Sequence, residues 1–254
     1  MVRGLTCLMV SVLLLSLVSN VTSQDAPVNG MRPVELRTHA LTNARVVVRP
    51  GQVLEGATVV MRDGMITAVG KDVDPPAEAR VRDATDMTIY AGFIDPAVLI
   101  EPAALPEGAG AHWNPKVHPQ VRISAESAPP DGIRSALRGA GYTAAAFYPE
   151  NGIFRGSGCV LDLSDDPDDM KALLETAAMA MGFDRGGGGR GPEAYPNSLM
   201  GATALARQTL LDAGWHSTCR RIHANHPGGH EPPARADALV ALEPVLRGEQ
   251  PVVW

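Results

Sequence analysis

At residue 91 the chain changes its hydrophobic grammar, and that change limits the fold more than any single motif does. Upstream, apolar residues come in short β-branched runs divided by turn residues. The runs are Ala44–Val48, Ala57–Met61 and Met65–Gly70, separated by Pro50-Gly51 and by Arg62-Asp63-Gly64, with shorter ones at Arg80–Arg82 and Met87–Tyr90. Asp63-Gly64 predicts a hairpin, because a two-residue turn of the right twist needs positive φ, which glycine adopts at little cost. Residues 40–90 therefore read as a small β module, too thin to close a two-layer sandwich by itself.

From residue 91 onward, strand and helix alternate, the pattern of an α/β unit. Pro129-Pro130-Asp131 opens a helix with Ile133 and Leu137 one turn apart, and Gly139 with Gly141 ends it before the apolar run Thr143–Tyr148. Gly158–Leu163 is a further strand. A second helix is expected from Asp168, with Met170, Leu173, Leu174 and Ala177 inward. A third is expected from Asn197, with Leu199, Ala202, Ala206 and Leu210 on one stripe. Gly186–Gly189 reads as a flexible loop. Ala236–Arg247 is helical apart from Pro244, and Gln250–Trp254 begins an apolar strand that no turn, cap or polar tail follows. Natural termini usually sit on exposed polar segments, so the expectation is a product shorter than its fold.

Residues 1–23 carry Arg3, the apolar stretch Leu5–Val18 and the small residues Val21-Thr22-Ser23, the layout of a signal peptide. Export to a periplasmic or extracellular space is expected, with residues 24–39 as a linker. Cys7 leaves with the leader, and Cys159 and Cys219 remain, either paired or separately buried. A net charge of -6 with no Lys/Arg-rich run argues against nucleic acid or anionic lipid as partner, so none is expected, nor any membrane once the leader is removed.

Three places could carry chemistry. His223, His226 and His230 are clustered imidazoles able to hold zinc or copper, set among Pro, Gly and Asn residues that also read as a solvated connector. Gly156-Ser157-Gly158 lacks the spacing of a nucleophile elbow and reads as a turn. His112-Trp113 and His118 follow the strand at residues 93–99, where loops build sites or simply pack.

The segments "NARVVVRPGQVLEGATVVMRDGMITAVG" and "DATDMTIYAGFID" resemble the N-terminal part of metal-dependent amidohydrolases, especially the imidazolonepropionase-like branch. "LRGAGYTAAAFYP" resembles the family's approach to barrel strand 2, "SLMGATALARQTLLDA" is similar to a stretch of exported members, and the resemblance covers about residues 40–254. It implies a partial β-sandwich over residues 40–90 and an incomplete (β/α)8 barrel over residues 91–254, about the first three βα units of a fold that needs about 250 residues. In that family the Asp of this segment is followed, after one residue, by His-x-His, two imidazoles on one strand face that grip a divalent ion, often zinc. Here Asp95 matches, as a catalytic carboxylate or as one that bonds its own turn, while Ala97 and Leu99 stand where the histidines would be. The remaining family ligands come from later strands. The resemblance therefore implies metal-assisted hydrolysis of non-peptide C–N bonds as the family chemistry, lost in this chain, with no catalytic, cofactor or metal residue expected at that site. The alternatives are a non-catalytic assembly module completed by a second polypeptide, and a histidine-loop metal binder.

Overall fold

The computed structural model describes residues 38–126, 129–166, 169–184, 195–229 and 231–254. The leader expected at 1–23, most of the linker, the Gly186–Gly189 loop, Asp168 and His230 lie outside the described residues. The chain divides into two compact units, one up to Tyr90 and one from Ala91.

In the first unit β1 (Thr38–Arg49) and β2 (Gln52–Arg62) form a long antiparallel hairpin, and β3 (Met65–Gly70) pairs antiparallel with β2. β4 (Arg80–Asp83) and β5 (Thr88–Tyr90) run parallel to successive stretches of β1. The hairpin expected at Asp63-Gly64 forms, and both residues take positive φ, 51° and 78°, as a turn that follows the strand twist requires. β1 starts earlier than expected. Thr38 and His39, assigned to the linker, belong to the sheet, because Thr38 is buried, pairs with Arg62 and accepts a hydrogen bond from Arg62 Nε at 3.3 Å. Small residues set the core, where Ala44, Ala57 and Ala84 pack with Val46 and Val59. Asn43, at φ 60°, donates through Nδ2 to Asp83 Oδ1 at 3.1 Å, tying the end of β4 to β1. Hydrogen bonds from Thr85 and Asn43 hold the Asp83 carboxyl below the usual carboxylate range.

The second unit is mixed α/β, with two small sheets and four helices among the described residues. β6 (Phe93–Ile100) and β7 (Tyr142–Pro149) are parallel neighbours joined through α1 (Asp131–Gly139). Parallel neighbours need such a crossover, and β7 is buried from Ala144 to Pro149, which explains its unbroken apolar run. β9 (Cys159–Asp162) and β10 (Ala172–Leu174) continue this sheet antiparallel, in the order β10-β9-β7-β6. Ile133 and Leu137 of α1 pack on its core of Phe147, Leu161 and Ile100. β8 (Phe154–Ser157), β11 (Met179–Met181) and β12 (Val252–Val253) make the second sheet, covered by α2 (Leu199–Asn225) through Ala202, Leu205 and Ala206. Among the described residues no helix is long and apolar enough to cross a membrane.

Several expectations change here. The helix expected from Asp168 is replaced by β10 and β11. Leu173 and Leu174, read as inward at helical spacing, are both exposed, while Met170 and Ala172 face the core at the spacing of a strand. α2 is capped one residue later than Asn197, by Ser198 Oγ accepting from Gly201 N at 3.1 Å. The helix over Ala236–Arg247 splits into α3 (Asp237–Val240) and α4 (Glu243–Leu246), since Pro244 cannot continue a helix but is well placed in a first turn.

Two arginines of α1 clamp the chain after β9. Arg134, only 2% exposed, donates from Nη1 to Ser164 O at 2.9 Å and from Nη2 to Asp131 at 3.2 Å. Arg138 donates to Leu163 O and Ser164 O, both at 3.1 Å. Arg134→Ala removes a buried donor from a carbonyl and is expected to cost about 1–3 kcal/mol. A urea midpoint unchanged from the parent chain would show that the clamp adds nothing.

Candidate functional site

Sites on parallel strands gather at their C-terminal ends, because the loops there are free to vary. β6 and β7 end together, with Glu150 N donating to Ile100 O at 3.0 Å. Near this end β6 carries a bulge. Asp95 pairs with Ala145 and Val98 with Phe147, so Pro96 and Ala97 stand opposite Ala146 alone. Asp95 Oδ1 accepts from Ala97 N at 3.0 Å, which satisfies a backbone donor inside the bulge. Val98 and Ile100 turn into the core, while Ala97 and Leu99 share the opposite, exposed face. This stretch of β6 thus presents two hydrocarbon side chains and one carboxylate already bonded to its own turn, with the exposed Glu101 following the strand.

The loops that follow hold polar groups that satisfy one another. His118 is buried, and its Nε2–H donates to Asn151 O at 2.7 Å, tying the loop after β6 to the loop after β7. Asn114, fully buried, donates to Tyr195 O and accepts from Lys116 N, each at 3.0 Å. Asp184 accepts from Gly152 N at 2.5 Å and pairs with Arg155 at 3.3 Å. His112 Nδ1 accepts from Asn114 N at 3.1 Å, and Trp113, exposed, stacks on Tyr195 at 6.4 Å between ring centroids. His112 and His118, read as either loop packing or site residues, are thus tied into the loops themselves.

Burial pushes the His112 and His118 imidazoles below their ordinary pKa. For His118 the carbonyls of Asn151 and Pro115 and the charge of Asp184 oppose the shift without cancelling it. The sign follows from linkage: as pH falls through the unfolded value near ~6.5, the unfolded chain binds the proton first and the native state loses stability. Each imidazole contributes a slope of at most about 1.4 kcal/mol per pH unit. The melting temperature is therefore expected to fall between neutral pH and pH ~5.5. His118→Gln, which can still donate to Asn151, is expected to flatten the decline; an unchanged slope would remove His118 as its source.

Of the three clustered histidines, His223 and His226 lie among the described residues. His223 belongs to the last turn of α2, which corrects the reading of a connector from 223 onward, and His226 is the exposed C-cap. The helix extends because His226 N still reaches Ile222 O at 2.9 Å before the chain turns. No group of three His, Cys, Asp or Glu side chains able to hold a metal occurs among the described residues. Cys159 is buried, which raises its thiol, Cys219 is half-buried, and both are free.

Gly156-Ser157-Gly158 is not a turn but the passage from β8 to β9. Ser157 is buried and its Oγ accepts from Gln250 Nε2 at 3.0 Å, so the hydroxyl is structural. Sequence reading also missed His216 and Arg220, which with His223 line a groove on α2. The only signal was their i, i+4, i+7 spacing.

The fold is similar to that of an amidohydrolase from Thermotoga maritima. The TM-score is 0.62 at 21% identity, over 84% of this chain and 56% of that one. The chain thus spans little more than half the length of that amidohydrolase. Two further structures overlap small parts. One is an uncharacterized protein, 31% identical over 24% of this chain and 16% of its own, with a TM-score of 0.22. The other is a prolidase complexed with N-methylphosphonate-L-proline, 21% identical over 44% of this chain and 26% of its own, with a TM-score of 0.27. No family model matches the sequence, and no curated protein matches it.

Proposed function

We propose that the chain is an exported, amidohydrolase-like protein of the imidazolonepropionase-like branch, carrying part of the family's β-sandwich and the first elements of its barrel. In this reading the family's metal-assisted hydrolysis of non-peptide C–N bonds has been lost. The similarity to the amidohydrolase supports the scaffold, and the β6 end carries the inactivity. A catalytic zinc needs lone pairs from at least three protein ligands. Ala97 and Leu99 have none, and the Asp95 carboxylate is held by Ala97 N–H at 3.0 Å. The residues described at this strand end do not fit a metal ion, so no hydrolytic step is derived through one.

Purified protein incubated with cyclic amides and imides and added Zn²⁺ or Mn²⁺ is expected to give no chelator-sensitive turnover. Turnover that EDTA abolishes and metal restores would sink the proposal of inactivity.

A second reading is favoured by the exposure of β6. Among the described residues that strand pairs with β7 alone, and Phe93 and Ile94 are 62% and 66% exposed. An open edge with apolar side chains is an association hazard unless covered. A second polypeptide that supplies further parallel strands would cover it, making the chain an assembly module. Co-elution with such a polypeptide in size-exclusion chromatography, lost when Ile94 is replaced by Lys, is the expected result.

A further inference from the structure

A groove of about 680 Å³ separates the C-terminal half of α2 from the segment of residues 232–240. His216, Arg220 and His223 form one stripe along its wall, with Arg221 beside them. The opposite wall is mixed, with the apolar Pro232, Pro233 and Val240 set beside Arg235, Asp237 and Glu243. The volume lies inside the range of about 300–1,000 Å³ typical of small-ligand sites.

The charges lining the groove are unevenly matched. Arg220 is bonded to Glu243 Oε1 at 2.6 Å, and Arg235 is held by both oxygens of Asp237, at 3.0 and 2.6 Å. Arg221 is exposed and has no carboxylate partner among the described residues. The His216 side chain is 5% exposed; its Nε2–H donates to Ala234 O at 3.0 Å, which leaves Nδ1 as an acceptor, and that Nδ1 has no partner. Buried acceptors are nearly always satisfied, so an orphan in the wall of a groove marks a position where a donor is missing.

We propose that this groove binds an amphipathic monoanion, a carboxylate or phosphate ester on a short apolar body. Arg221 takes the acid group in its guanidinium fork, whose geometry matches two acid oxygens. The apolar body lies against Pro232, Pro233 and Val240. The site is separate from the β6 strand end and does not depend on the proposed family chemistry.

The experiment is isothermal titration of the full chain with hexanoate, hexyl phosphate, acetate and hexylammonium. The expected result is saturable binding of hexanoate or hexyl phosphate, the tighter of the two naming the acid class, with acetate weaker and hexylammonium not bound. Arg221→Ala is expected to weaken binding by about tenfold or more, and Arg221→Lys to recover part of the loss. Because Arg221 is exposed, the melting temperature of these variants should match the parent, which separates lost binding from lost fold. No saturable binding of either acid, equal binding of hexylammonium, or affinity untouched by Arg221→Ala would overturn the proposal.

Discussion

Gly156→Ala is expected to destabilise the second unit by about 2–6 kcal/mol, a large share of the stability of an ordinary domain. Two separate costs add at this position. The backbone is at φ 122°, a region that side chains rarely adopt. A methyl group there would also run into the carbonyl oxygen of Val121, with the Val121 Cβ only 2.9 Å away. That carbonyl cannot retreat freely, because it accepts from Ser157 N at 2.9 Å and Ile123 N returns a bond to Ser157 O at 3.0 Å. The strain therefore spreads to the contact between the loop after β6 and the strand β8. Gly132→Ala is the natural control. It lies in α1 with nothing within 4 Å of an added Cβ, and should be neutral or stabilising by up to about 1 kcal/mol. Guanidinium chloride midpoints that coincide for the two variants would rule out the close approach at Gly156.

The same glycine shows where sequence reading stops. The hairpin at Asp63-Gly64 was legible because its cause is local: the two residues that need positive φ are the two that tolerate it. Likewise Leu199, Ala202, Ala206 and Leu210 announce α2, and three of them end up buried or half-buried as the stripe requires. Leu199, at the first turn, is exposed, since a helix end projects past the sheet it covers. Gly156-Ser157-Gly158 gave no such signal, because what it accommodates, Val121 on one side and Tyr148 on the other, comes from distant parts of the chain. The segment after residue 168 failed for a related reason. Met170, Leu173, Leu174 and Ala177 fit a helical stripe, yet β9 offered an open edge, and Ala172 pairs with Leu161 instead. Tertiary pairing overrode local periodicity. At the strand end, the absence of imidazoles was plain in the sequence, whereas the use of Asp95 depended on a bulge that one strand cannot reveal without its partner. The groove on α2 was invisible for the same reason, since Arg221 and His216 gain meaning only when residues 232–237 fold across them.

Ala97→His/Leu99→His is expected to bind Zn²⁺ at least about tenfold more tightly than the parent chain, a gain of about 1.4 kcal/mol or more. Positions 97 and 99 lie two apart on a strand, and the residue between them, Val98, packs into the core, so both replacements project to the same exposed face. Two imidazoles there can converge on one ion at Zn–N distances of about 2.0–2.1 Å. Binding should strengthen as pH rises through ~6.5, because each imidazole must be neutral to coordinate. Turnover is still not expected, since the Asp95 carboxylate stays with Ala97 N–H or its successor and no group of three His, Cys, Asp or Glu side chains able to hold a metal occurs among the described residues. The His223 and His226 imidazoles are a competing place for the metal, so the titration is run in a background where both are replaced by Gln. If the double variant gains nothing in that background, the bulge at Pro96 turns the two positions apart. The proposed loss of chemistry would then lie in the path of the strand as well as in its side chains.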